Sequence, residues 1–552
     1  FLALIGIIVW VVRQKQNDSA DYFLGGRDAT WLAIGASIFA SNIGSEHLIG
    51  LAGAGASSGM AMAHWEIQGW MILILGWVFV PFYSRSMVYT MPEFLERRYN
   101  PQSRTILSVI SLVSYVLTKV AVTVYAGGLV FQQVFGIKEL WGIDFFWIAA
   151  IGLVVLTALY TIFGGMKSVL YTSVLQTPIL LLGSLIILVL GFKELGGWDE
   201  MMRVCGAVTV NDYGDTMTNL IRSNDDANFP WLGALIGSAI IGFWYWCTDQ
   251  FIVQRVLSGK NEKEARRGTI FGAYLKLLPV FLFLIPGMIA FALHQKYIGA
   301  GGEGFLPMLA NGTANADAAF PTLVAKLLPA GVKGLVVCGI LAALMSSLAS
   351  LFNSSAMLFT IDFYKRFRPE TPEKKLVGIG QIATVVIVIL GILWIPIMRS
   401  VGDVLYTYLQ DVQSVLAPGI AAAFLLGICW KRTSAQGGMW GLIAGMIIGL
   451  TRLGAKVYYS NAGEVADSTF KYLFYDMNWL FFCGWMFLFC IIVVIVVSLA
   501  TEAPTAEKIQ GLVFGTATKE QKAATRASWD HWDIIHTVII LAITGAFYWY
   551  FW

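Results

Sequence analysis

Charge is scarce in this chain. Asp, Glu, Lys and Arg make up 13% of its 552 residues, against roughly 25% in soluble domains. That shortage excludes an ordinary water-soluble globular protein. The net charge of +3 is too small to identify a partner, and no nucleic-acid partner is expected. Cysteine is sparse as well, with six residues at 205, 247, 338, 429, 483 and 490. Only Cys205 falls in a predicted loop, so no disulfide framework is implied, and the other five read as small apolar core residues. A phosphate loop, a metal-ligand cluster and a nucleophile–base spacing are all missing, which leaves an enzyme without support.

What is abundant is apolar sequence. Hydrophobic residues reach 57% and the mean hydropathy is +0.70. Long apolar runs recur along the whole length, the signature of spanning helices and of a lipid-bilayer protein. Spans are predicted at 1–12 (partial), 30–56, 60–82, 105–135, 142–163, 167–192, 231–255, 268–294, 321–363, 376–398, 402–428, 436–458, 471–500 and 532–551, about fourteen in all. Residues 1–12 would cross only about 18 Å, so they read as part of a span. The 56 glycines suit close helix packing in lipid.

Loop charge gives an orientation. Arg85, Arg97, Arg98 and Arg104 follow the third span, Lys260, Lys263, Arg266 and Arg267 the seventh, and Lys365, Arg366, Arg368, Lys374 and Lys375 the ninth. Alternating spans put all three loops on one side, the cytoplasmic one by the positive-inside rule. The opposite loop, 192–230, is acidic. The C-terminus is then expected outside, in a multi-pass protein of the plasma (inner) membrane. Trp31, Trp141, Trp430 and Trp532 fall near span ends, where an interfacial belt is expected.

Two spans are interrupted at mid-depth, one at Ala36–His47 and one at Ile241–Gln250. Lipid offers no water to free backbone groups, so such breaks survive only against protein or a wet cavity. A matched pair in two halves points to the central site of a secondary transporter. Five spans run from 30 to 192 and five from 231 to 428. Both sets begin with a broken helix, and an odd number inverts the second set relative to the first. The expected organisation is 1–28, a partial flanking helix and cytoplasmic loop; 29–192, the first repeat; 193–230, an extracellular loop; 231–428, the second repeat; and 429–552, flanking helices with a cytoplasmic loop.

Particular segments carry a resemblance. Ala36–His47, Met91-Pro92-Glu93-Phe94, Gly164-Gly165 through Gln176, Trp244 through Arg255, Tyr274-Leu275-Lys276-Leu277 and Met345-Ser346-Ser347-Leu348 resemble the sodium/solute symporters, and most of all their sodium/glucose cotransporter branch. The similarity extends through nearly the whole chain, and the stretch Trp244–Arg255 is its most specific part. The resemblance implies an all-α integral membrane fold of the leucine-transporter type, a five-plus-five inverted repeat with extra flanking helices. It also implies sodium-driven uptake of a small-molecule sugar, with sodium as the ion and a functional monomer.

Sodium is a hard cation that wants about five or six oxygens, which an unwound helix and nearby hydroxyls can supply. Ser346, Ser350 and Ser354 repeat at i, i+4 on one helix face beside Ser347, a pattern that also suits plain helix packing. The resemblance assigns the ion to the Ser346 and Ser347 hydroxyls and to the carbonyls of Ala40, Ile43 and Ala343. Glu66 and Lys276 are ionisable residues inside apolar spans, where such groups mark a substrate path or a structural ion pair. His47 and Gln410 read equally as interior polar residues. The resemblance places Asn42, His47, Glu66, Tyr245, Trp246, Lys276 and Gln410 around the sugar, with Tyr245 as inner gate and Trp65 as an outer lid. Asp249 is expected to be a structural partner on the inner side, with Arg255 as its partner.

Two departures bear on stoichiometry. Ser173 stands where many relatives carry an aspartate linked to a second cation, and Ala349 stands where two-sodium relatives carry a hydroxyl. Both favour one sodium per sugar. Glu46 replaces a glycine of the animal glucose cotransporters and agrees with bacterial relatives. The leading expectation is therefore symport of a hexose, glucose- or galactose-like. The alternatives are an inositol or a sugar acid carried by the same fold, for which Lys276 could meet a carboxylate, and a sugar-gated sensor or channel without coupled transport.

Overall fold

The computed structural model describes residues 6, 9–11, 13, 18–44, 46–309, 312–398, 405–461 and 466–552, with side chains for all of these except 117–118, 397–398, 405–411 and 460–461. Most of the expected first span, and the side chain of Gln410, lie outside the described residues.

The protein is helical nearly throughout, and ten of its described helices are long and apolar enough to cross a membrane. Two shorter apolar helices, Trp31–Asn42 and Ala121–Phe135, join them. The two spans expected at 142–163 and 167–192 form one run, Phe145–Leu195, that turns sharply at Gly165. Gly165 has φ 54°, and a Cβ there would collide with the Tyr22 carbonyl, so only glycine fits. The span expected at 321–363 is two elements, Ala319–Leu327 and Ala330–Met357. Pro329 separates them and caps the second, because proline and the residue before it resist helix. The only described strands are the two-residue pair Glu139–Leu140 and Ile143–Asp144. Its turn is Trp141-Gly142, both at positive φ.

Both predicted breaks are present. The first helix, Trp31–Asn42, runs 12 residues, about 18 Å, and stops where Ile43 turns extended at φ −80°, ψ 96°. The chain resumes as a wide turn, Glu46–Leu51, and then Ala52–Ser58. The second, Trp231–Gly242, is also 12 residues long. It widens over Phe243–Thr248, breaks at Asp249 with φ −76°, ψ 127°, and restarts as Gln250–Leu257. The Asp249 carboxylate caps that restart by accepting from Phe251 N–H at 3.3 Å, as a helix N-terminus prefers.

Packing puts the first break at the centre. Trp31–Asn42 lies against Glu262–Lys276, Phe145–Leu195 and Ala330–Met357. Small residues allow the approach: a Cβ on Gly35 would sit 2.8 Å from the Gly268 carbonyl, as in close-packed membrane helices. This is the leucine-transporter architecture expected from the sequence, with Ala435–Asn461, Trp479–Ala500 and His531–Tyr550 as flanking helices. The last of these ends against the acidic loop, where Leu220 N–H donates to the Phe551 carbonyl at 3.1 Å. Cys205 is buried on the short helix Trp198–Gly206 rather than in a loop.

Candidate functional site

The two breaks flank a cavity of about 40 Å³. Seven of the eight predicted substrate residues line it: Asn42, His47, Trp65, Glu66, Tyr245, Trp246 and Lys276. Glu46, Gln68 and Gln413 line it too and were missed. Gln413 lies three residues beyond Gln410 on the same helix, and Gln68 lies two beyond Glu66, so polar neighbours of the chosen residues were the available signal.

The polar groups form two hydrogen-bonded sets. Lys276 Nζ donates to Glu66 Oε2 at 2.6 Å and to Asn42 Oδ1 at 3.1 Å. Asn42 Nδ2 donates to the Tyr245 hydroxyl at 3.0 Å. His47 Nε2 sits 3.2 Å from Glu66 Oε2. Trp246 Nε1 donates to Gln68 Oε1 at 3.2 Å, and Gln68 Nε2 to the Ser238 carbonyl at 2.8 Å. Glu66 and Lys276 are thus a direct ion pair and cavity-lining residues at once. Among the described residues two buried atoms on the lining have no partner, His47 Nδ1 and Trp65 Nε1. Buried polar atoms are nearly always hydrogen-bonded, so these two point to a ligand with hydroxyls.

Aromatic side chains cover the cavity on two sides. It has room for about three waters, less than a six-membered polyol ring requires. On one side, Trp65 stacks on Trp479 with centroids 5.4 Å apart and meets the edge of Phe229 at 6.1 Å. Beside it, His64 bridges the Tyr548 hydroxyl at 2.9 Å and the Leu220 carbonyl at 3.0 Å. The flanking helices therefore contribute to the roof. On another side, Tyr245 lies over a buried cluster. Lys119 Nζ pairs with Asp249 Oδ2 at 2.5 Å and lies 4.8 Å from the Tyr245 ring, and the Tyr115 hydroxyl donates to Asp249 Oδ1. This corrects the expected Asp249–Arg255 pairing. Arg255 is fully buried with all three guanidinium nitrogens unpartnered among the described residues, its charge resting against the Phe251 ring. Lys119 takes its place because topology, not sequence proximity, delivers it.

The predicted sodium residues lie on two packed helices, at the first break and on Ala330–Met357. Ala40, Ile43, Ala343, Ser346 and Ser347 are all buried. The helix end at Asn42 leaves its last carbonyls without intrahelical partners. The Ser347 hydroxyl donates to the Ser41 carbonyl at 2.9 Å, and the Ser41 and Ser350 hydroxyls are 2.7 Å apart. A Cβ on Gly44 would lie 2.8 Å from Ser347 Oγ, so glycine is what lets the break meet the serines. Hydroxyls and helix-end carbonyls make a neutral oxygen set that suits a hard monovalent cation. Ser354 is spent elsewhere, donating to Gln254 Oε1 at 2.6 Å. The Ser173 hydroxyl donates to the Val169 carbonyl at 2.6 Å and stands 3.3 Å from Ser346 Oγ.

A sequence model of the sodium:solute symporter family matches residues 22–445. The chain belongs to that family. Sodium/myo-inositol cotransporter 2 of Homo sapiens and of Mus musculus are 36% and 37% identical to it over 530 residues, 94% of this chain and 78% of theirs. The sodium/myo-inositol cotransporter of Canis lupus familiaris is 37% identical over 539 residues, 93% of this chain and 74% of its own length. Among solved structures, a substrate-bound, outward-open Na+-coupled sialic acid symporter superposes with a TM-score of 0.72 at 22% identity, over 91% of this chain and 97% of that one. The structural likeness speaks to the fold. The symporter is a multi-pass membrane protein that couples sodium to a small solute and is not an enzyme.

Proposed function

We propose that this symporter carries a neutral cyclitol, an inositol, together with sodium through the cavity between the two helix breaks. The observation that carries the reading is the lining itself: a neutralised Glu66–Lys276 pair at 2.6 Å with orphan donors and acceptors on His47 and Trp65 around it. Such a set suits hydroxyls. A sugar acid would need a free cation, and Lys276 is already engaged by Glu66 and Asn42. Among neutral polyols, the names of the relatives favour an inositol over the hexose expected from the sequence.

In this reading Asn42, His47, Glu66, Trp246, Lys276, Gln410 and Gln413 hold the solute. Trp65 closes over it with Trp479, and Tyr245 closes beneath. Sodium sits on Ala40, Ile43, Ala343, Ser346 and Ser347. Because Ser347 bonds the Ser41 carbonyl at the break, ion binding fixes the helix end that presents Asn42 to the solute. Residues 29–192 and 231–428 form the two halves that move against each other, with the basic loops and the inner gate facing the cytoplasm and the C-terminus outside. The protein acts as a monomer.

Counterflow of labelled myo-inositol in proteoliposomes tests this, with unlabelled glucose, galactose and glucuronate as competitors. Sodium-dependent counterflow that inositol blocks better than either hexose supports the reading. Preference for a hexose restores the sequence expectation. Binding without counterflow makes the protein a sensor.

A further inference from the structure

Glu46 has no role in the reading above, yet it faces the same cavity as Glu66 and Lys276. It forms no hydrogen bond or ion pair among the described residues. The charges around it are His47, Lys119, Lys276 and Glu66. Two of these groups are already neutralised: Lys276 by Glu66 at 2.6 Å and Lys119 by Asp249 at 2.5 Å. His47 spends Nε2 on Glu66 and has only Nδ1 free. When the pairs are summed, Glu46 is the cavity carboxylate with no cation at hydrogen-bonding distance among the described residues. A lone carboxylate in a poorly hydrated site is costly unless a partner arrives.

We infer that Glu46 is an acceptor for a cationic substituent on the solute, so that the site takes amino-substituted cyclitols, in which an ammonium replaces one ring hydroxyl. A primary ammonium is close in size to a hydroxyl and brings three donors. A hydrogen bond between charged partners is roughly twice as strong as a neutral one. The same carboxylate repels phosphorylated or carboxylated cyclitols, for which the cavity has no unengaged lysine. The inference rests on the cyclitol reading, and it extends that reading from a neutral cyclitol to an amino-substituted one.

The test is binding to purified, sodium-loaded protein by calorimetry, with myo-inositol, an amino-deoxy-inositol and an inositol monophosphate as matched probes, repeated on Glu46→Gln. In the wild type the amino compound binds about tenfold or more tightly than myo-inositol, a difference of about 1.4 kcal/mol, and the phosphate fails to compete. In Glu46→Gln the ratio of amino to neutral affinity falls by about the same factor, whatever happens to either affinity alone. Equal or weaker binding of the amino compound by wild type overturns the inference, and this comparison needs no variant to fold. An unchanged ratio in Glu46→Gln overturns it as well. If none of the three cyclitols binds, the parent reading has failed, and the glucose and glucosamine pair then decides whether Glu46 selects amines on a hexose.

Discussion

The Glu66–Lys276 pair gives the sharpest test at the level of single residues. Both side chains are almost fully buried and 2.6 Å apart. Removing one partner of a buried pair leaves a bare charge and costs about 3–5 kcal/mol, whereas replacing both by apolar groups is often neutral. Lys276→Met alone should therefore melt at clearly lower temperature than wild type. Lys276→Met combined with Glu66→Leu should recover most of that loss in the same melting experiment. Solute binding should not recover, because the hydroxyl partners are gone in the double variant. A double variant that regains both stability and binding would make the pair a packing device with no solute contact. The sequence showed both residues as ionisable groups in apolar runs, and so as candidates. It could not show that they touch, since 210 positions separate them and only the crossing of helices brings them together.

At the scale of helices, the restart after the second break depends on Asp249, which caps Gln250–Leu257 and pairs with Lys119. Arg255 on the same helix has no partner among the described residues. The two cations should respond oppositely to the same substitution. Lys119→Met strands the Asp249 carboxylate and should cost about 3–5 kcal/mol in chemical or thermal denaturation. Arg255→Met removes a buried cation with nothing to satisfy it and should be neutral or stabilising. Strong destabilisation by Arg255→Met would show that its guanidinium has an acceptor in the working protein.

The breaks themselves were legible because Gly, Ser and Asn interrupt apolar runs at Ser41–Ser45 and Asp249 interrupts another. The partner of Asp249 was not legible, because Lys119 lies in an apolar stretch whose break into a wide turn, Tyr115–Val120, has no glycine or proline to mark it.

The acidic loop behaves as an element with its own pH response. Burial works to raise the Asp226 carboxyl. The N–H groups of Phe229 and Asn228, the Asn211 amide and Arg222 outweigh it, so the group is held below its ordinary 3.8. A depressed carboxyl contributes stability that is present above the unfolded value and lost as pH falls through the folded one. Protease cleavage within 207–230 should therefore stay flat down to about pH 4 and rise only below it. Asp226→Asn should be cleaved faster at neutral pH. Equal cleavage of wild type and variant at pH 7 would remove Asp226 as the anchor.

For the whole molecule the question is how many charges move with each solute. Ser173 offers a hydroxyl that is already bonded to the Val169 carbonyl at 2.6 Å, and Ala349 is buried with no oxygen on its side chain. The carboxylate and hydroxyl that a second ion would use are both absent from these positions, so one sodium should accompany each solute. One charge falling through 100 mV supplies about 2.3 kcal/mol, and a tenfold sodium gradient adds about 1.4 kcal/mol. Together they limit accumulation to roughly a few hundredfold, while two ions would square that ratio. The measurement is the reversal potential of solute-dependent current against the sodium gradient in proteoliposomes. One charge per solute is the expected slope, unchanged in Ala349→Ser if a hydroxyl alone cannot build a second site. A slope of two in the wild type would mean that carbonyls at the break, rather than side chains at 173 and 349, complete another site, and that reading stoichiometry from those two substitutions fails.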